Sequence, residues 1–90
     1  MRRLWERIMR TAHDFGEPMS GIPLAEIAGD RRVLIENHRG VICYNPREIQ
    51  VKVSFGYLSI YGEFLEMKRL AKDQLVIQGS IHSVCINRGE

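Results

Sequence analysis

The chain reads as a small, mainly β protein: an antiparallel meander of about seven short strands, forming a curved single sheet or half-open barrel, with one amphipathic helix at its N-terminus. Three observations predict this. Apolar residues recur at helical spacing only over residues 2–15, and the spacing switches to alternation from Leu24 onward. Turn-forming clusters, "GDR", "NPRE", "FG" and "AKD", punctuate the alternating region. At 90 residues the chain is long enough for one domain and no more.

Over residues 2–15, Leu4, Trp5, Ile8, Met9, Ala12 and Phe15 fall on one side of a helix, with Arg3, Arg7, Arg10 and Asp14 on the other. Gly16 stands where such a helix would stop. Residues 16–23 contain two glycines and two of the three prolines and read as a linker. The β domain then runs over residues 24–88.

Within it, "LAEIA", "RVLIEN" and "GVICY" are short strands. "IQVKVS" sets Ile49, Val51 and Val53 against Gln50, Lys52 and Ser54. "YLSIYG", "EFLEMKRL" and "QLVIQGSIHSVCI" complete the set. Taking Phe55-Gly56 as a hairpin turn sets Val53 opposite Leu58 and Val51 opposite Ile60, which leaves one face apolar and the other polar. The same pairing places His38-Arg39 at the tip of a second hairpin, with Ile35 opposite Ile42 and Val33 opposite Tyr44. At an exposed tip, His38→Ala should cost less than about 0.5 kcal/mol. Leu-x-Ile-x-Gly occurs twice, at Leu58-Ile60-Gly62 and Leu75-Ile77-Gly79, an offset of 17. Glycines inside strands mark bends, so Gly62 and Gly79 are expected to curve the sheet. The strand starting at Leu24 and the C-terminal strand are the expected free edges, open to strand addition and hence to self-association.

Composition narrows the function. The 44% hydrophobic and 27% charged fractions describe a globular chain. No apolar run approaches the roughly 20 residues of a membrane span, and Glu6, Arg7 and Arg10 interrupt any signal-peptide core. A non-secreted, cytoplasmic protein is the expectation. Cys43 and Cys85 are too few for a disulfide scaffold and lack C-x-x-C spacing. The first ten residues hold four arginines against Glu6; the remainder has 9 basic and 10 acidic side chains. Without a broad basic face, nucleic acid is not an expected partner.

His13, His38 and His82 show no metal-ligand spacing, and no nucleophile elbow or phosphate loop occurs. The chain is read as no enzyme, with no catalytic residue, metal or cofactor. Candidate contact residues remain. Glu36, Asn37, His38 and Arg39 would present a recognition tip, although Asn37 and Gly40 also suit an ordinary turn. Tyr57 and Tyr61 flank Ser59 on the polar face and would serve a contact surface, or else only cross-strand packing. A small-ligand or nucleic-acid module on that face is the rival function. Arg3, Leu4, Trp5, Arg7 and Ile8 would meet a partner or an anionic membrane surface, or cover the sheet.

The stretches "GDRRVLIENHRGV", "GYLSIYGEFLEM" and "LVIQGSIHSV" resemble the YabP/YqfC family of sporulation proteins of endospore-forming Firmicutes, and the likeness extends over residues 22–86. "IENHRG" is its most specific part, and the basic N-terminal segment with Trp5 is similar to the YqfC branch. The resemblance implies action in the mother cell during spore formation, described as spore coat assembly, with no enzyme activity and no cofactor. It also implies other sporulation proteins as partners, a membrane-anchored one among them, and so a peripheral place at the forespore membrane.

Overall fold

The computed structural model describes residues 21–89. They form six strands: β1 (Leu24–Ala28), β2 (Arg32–Glu36), β3 (Val41–Asn45), β4 (Glu48–Val53), β5 (Gly56–Leu70) and β6 (Gln74–Arg88). All belong to one open antiparallel sheet in the order β1-β2-β6-β5-β4-β3. The helix expected over residues 1–15 and the first part of the linker lie outside the described residues.

Six strands replace the expected seven because "YLSIYG" and "EFLEMKRL" run on as one. Between them the chain does not turn. It slips register against β6, at Tyr61/Gly62 and again at Glu63/Glu66, and Phe64 takes a positive φ of 56°. Such irregularities bend a strand while keeping it in the sheet.

The bend divides the sheet into two arms. In one, residues 56–61 of β5 lie between β4 and residues 83–88 of β6. In the other, residues 74–78 of β6 lie between β2 and residues 66–70 of β5. The apolar faces of both arms merge into one core: Val33 and Ile35 of β2, Ile49, Val51 and Val53 of β4, Leu58, Ile60 and Leu65 of β5, and Leu75, Ile77 and Ile81 of β6. A flat sheet of this length would leave half that surface in water; folding the arms together lets 69 residues build a shared interior.

The Leu-x-Ile-x-Gly repeat is the visible trace of this arrangement. Leu58 and Ile60 pair with Val51 and Ile49, and Leu75 and Ile77 pair with Ile35 and Val33. The Gly62 N–H donates to the Arg47 carbonyl (3.0 Å), and the Gly79 N–H donates to the Arg31 carbonyl (3.1 Å). One step on, Leu65 donates to Pro46 and Ile81 to Asp30. The strand order is thus palindromic, with β1-β2-β6 and β3-β4-β5 as pseudo-equivalent units. Both glycines are bend points, as expected. A Cβ at Gly62 would collide with the Ser80 carbonyl oxygen, and one at Gly79, where φ is +150°, would lie 2.7 Å from that of Phe64.

Three expectations need correction. The β4–β5 turn is Ser54-Phe55, with Val53 opposite Gly56, Val51 opposite Leu58 and Ile49 opposite Ile60. Gly56 sits in the ladder because its backbone passes so close to Asn87 that a Cβ would strike the Asn87 carbonyl. Second, β1 is an edge as expected, but the C-terminal strand is not: β6 lies at the centre, and β3 is the other edge. Third, β2 and β3 do not form a hairpin. They lie in different arms, β2 against β6 and β3 against β4, so Ile35 does not face Ile42 and Val33 does not face Tyr44.

Candidate binding surfaces

"IENHRG" is therefore a crossover strap between the arms rather than a hairpin tip. Ile35 belongs to the core. Glu36 ends β2 opposite Gln74, whose Nε2 lies 3.5 Å from Glu36 Oε1. Asn37 turns the chain with φ +62°, a conformation asparagine tolerates better than most residues. Its N–H donates to the Asp73 carbonyl (2.7 Å), and its Nδ2 donates to the Ile22 carbonyl (2.8 Å).

His38 is half-buried and reaches the β5–β6 turn, with Nε2 2.9 Å from the Ala71 carbonyl oxygen. The Gly40 N–H donates to its Nδ1 (3.1 Å). That second bond makes Nδ1 an acceptor, so Nε2 carries the proton and donates to Ala71; both bonds coexist only in the neutral ring. Arg39 and Gly40 then join the other arm. The Arg39 N–H donates to the Lys52 carbonyl (2.7 Å), and the Lys52 N–H to that of Gly40 (2.8 Å). Asn37 and His38 thus grip one end of the molecule, and Arg39 and Gly40 the neighbouring strand.

Of the four residues expected at a tip, only Arg39 has an exposed side chain, and it makes no side-chain hydrogen bond or ion pair among the described residues. It borders an open cleft formed by Arg39, Gly40 and Val41 with Leu70, Ala71 and Lys72.

Tyr57 and Tyr61 do share a face with Ser59, as expected. Tyr57 lies opposite Lys52 and Asn87, Ser59 opposite Gln50 and Cys85, and Tyr61 opposite Glu48 and Ser83. Ser59 is buried beneath them, and Asn87 Nδ2 donates to its Oγ (3.1 Å). The face carries one cation and one anion from β4 and an intervening amide, with Gln50 Nε2 donating to Glu48 Oε2 (2.7 Å). Cys43 lies opposite Gln50, so Cys43, Gln50, Ser59 and Cys85 make one row across four strands. The two thiols are separated by three strand spacings, roughly 14 Å, too far to bridge.

Arg3, Leu4, Trp5, Arg7 and Ile8 lie outside the described residues. His82 faces Glu63 at 3.9 Å on an exposed surface. Among the described residues, no group of three or more His, Cys, Asp and Glu side chains could hold a metal ion, and no helix is long and apolar enough to cross a membrane. Sequence reasoning missed the edge strand β3, where Ile42 and Tyr44 stand about half exposed. Its only signal was negative: no charge occurs from Gly40 to Pro46.

A bent, open sheet pinned by a polar strap defines a small all-β domain whose accessible features are edges and faces. The chain belongs to the YabP family, a sporulation-associated family whose model matches residues 24–90. Among curated proteins it is similar to the uncharacterized protein YqfC of Bacillus subtilis (strain 168), with 26% identity over 66 residues, covering 73% of this chain and 71% of that protein. No solved structure matches it significantly.

Proposed function

We propose that the chain is a non-enzymatic assembly protein of spore formation, acting through protein contacts in the mother cell, at the coat or the outer forespore surface. One observation carries this reading. The polar groups with the richest chemistry, Asn37 and His38, are occupied in holding the strap, while large apolar side chains stand exposed on both edge strands. Such edges favour strand addition and protein contact. The partners on this reading are other sporulation proteins, with a membrane-anchored one first among them.

Capture from sporulating cells tests it. Tagged wild type and Arg39→Ala are compared after melting curves establish that both are folded. Wild type should retain sporulation proteins that Arg39→Ala loses. Capture of no spore protein by wild type, together with strictly monomeric behaviour at high concentration, refutes the reading.

A further inference from the structure

We propose that copies of this chain join head to tail, edge strand β1 of one copy adding antiparallel to edge strand β3 of the next. The inference rests on the assembly reading above and deepens it by naming the partner as a second copy.

The two edges match in length and in what they expose. Each is a five-residue strand with a neighbour on one side only among the described residues. Neither contains lysine or proline, two usual guards of a free edge. Ile27 on β1 is 51% exposed, and Ile42 and Tyr44 on β3 are 54% and 50% exposed.

Charge selects the pairing. From Leu24 to Asp30 the chain carries Glu26 and Asp30 and no cation; from Arg39 to Arg47 it carries those two arginines and no anion. Two like edges therefore oppose like charges. A centred β1–β1 pair sets Glu26 against its own copy, and a centred β3–β3 pair sets Arg39 against Arg47 at both ends. The mixed pair does the reverse. With Ile27 opposite Ile42, antiparallel counting sets Glu26 opposite Cys43 and Ala25 opposite Tyr44; past the irregularity at Ile42, it brings Asp30 of the β1–β2 turn alongside Arg39, which leads into β3. The small Ala25 leaves room for the tyrosine ring, and both residues lie on the core side of their strands, opposite Ile35 and Ile49 respectively. Opposite charges directly across a ladder favour a pair, and like charges disfavour it.

The contact is heterologous, so it leaves a free β1 at one end and a free β3 at the other. Such contacts build rings or open filaments rather than closed dimers. The shared chemistry is backbone hydrogen bonding, with side chains setting the register.

Sedimentation velocity on the full chain tests the idea. Wild type should form a concentration-dependent series that continues beyond the dimer. Asp30→Arg and Arg39→Asp should each weaken association about tenfold, and the double variant should recover to within about threefold of wild type. Ile27→Lys blocks β1 and Ile42→Lys blocks β3. Each alone should stay monomeric, and their equimolar mixture should stop at a 1:1 heterodimer. All four side chains are exposed, and melting curves check folding. Should either lysine variant fail to fold, the charge-reversal set decides alone. A wild type that stops at a dimer, or a double variant no better than the singles, overturns the proposal. A wild type that remains monomeric yet captures spore proteins overturns it while leaving the assembly reading intact.

Discussion

Replacing His38 by alanine separates a strap from a tip. In the strap the imidazole makes two hydrogen bonds, Nε2–H to the Ala71 carbonyl at 2.9 Å and Nδ1 from the Gly40 N–H at 3.1 Å. Each is worth roughly 0.5–1.5 kcal/mol net, and both backbone partners are left in a half-buried place, so the loss is about 2 kcal/mol. In a domain of this size that lowers Tm by roughly 8–16 °C. Urea unfolding followed by far-UV circular dichroism measures it: the midpoint should fall by roughly 1–2 M at unchanged slope. His38→Gln, which can both donate and accept, should recover part of the loss. A cost under about 0.5 kcal/mol, the value for a solvated tip, would mean that the ring holds nothing, and the crossover would then be anchored by backbone alone.

Further outcomes follow from the same geometry. Asn37→Ala should cost about 1.5–3 kcal/mol, through backbone strain at φ +62° and loss of the bond to Ile22; Asn37→Gly should cost less than half of that, and equal losses in chemical denaturation would refute the strain component. Gly79→Ala should cost more than about 3 kcal/mol, because the new Cβ meets the Phe64 carbonyl at a strained φ, whereas Gly29→Ala, at φ +58° in open space, should cost about 1 kcal/mol. Deleting residues 1–15 should abolish flotation with anionic vesicles if the N-terminal arginines and Trp5 reach a membrane; undiminished flotation removes that contact. Titration with oligonucleotides should leave the Tyr57 and Tyr61 ring resonances unmoved, and selective shifts there would favour the ligand-module reading.

The strands were legible because burial imposes a period of two on each. Ile49, Val51 and Val53 alternate with polar residues, and the structure buries the first set. Register was less legible for the same reason. Sliding β4 against β5 by two residues leaves every side chain on its original face, so the pattern fits Phe55-Gly56 and Ser54-Phe55 turns equally well. Only the close approach of Gly56 to Asn87 separates them, and that is a contact with a strand far away in sequence. The crossover was illegible for a related reason. Asn37 at positive φ and a trailing glycine are what a tight turn requires, and also what a strap requires as it leaves one arm for the other. Sequential strands are neighbours about two-thirds of the time; here the alternative won because β2 buries Val33 and Ile35 against β6. Of Glu36, Asn37, His38 and Arg39, the side chains of Asn37 and His38 and the backbone of Arg39 hold the crossover, an architectural task that residue types alone do not distinguish from a turn.

The placement of β6 governs how the protein can be born. Residues 32–36 find their inner neighbour only at residues 74–78, so β1 and β2 leave the ribosome long before the strand that buries them. Val33 and Ile35 must wait, solvated, while β3, β4 and β5 are synthesised. A pairing of such long sequence separation is slow to close, and the waiting hairpin is vulnerable to improper partners. The two arms share β6, so neither can mature independently of it, and a nascent chain halted before residue 74 would display the hydrophobic half of a core it cannot complete.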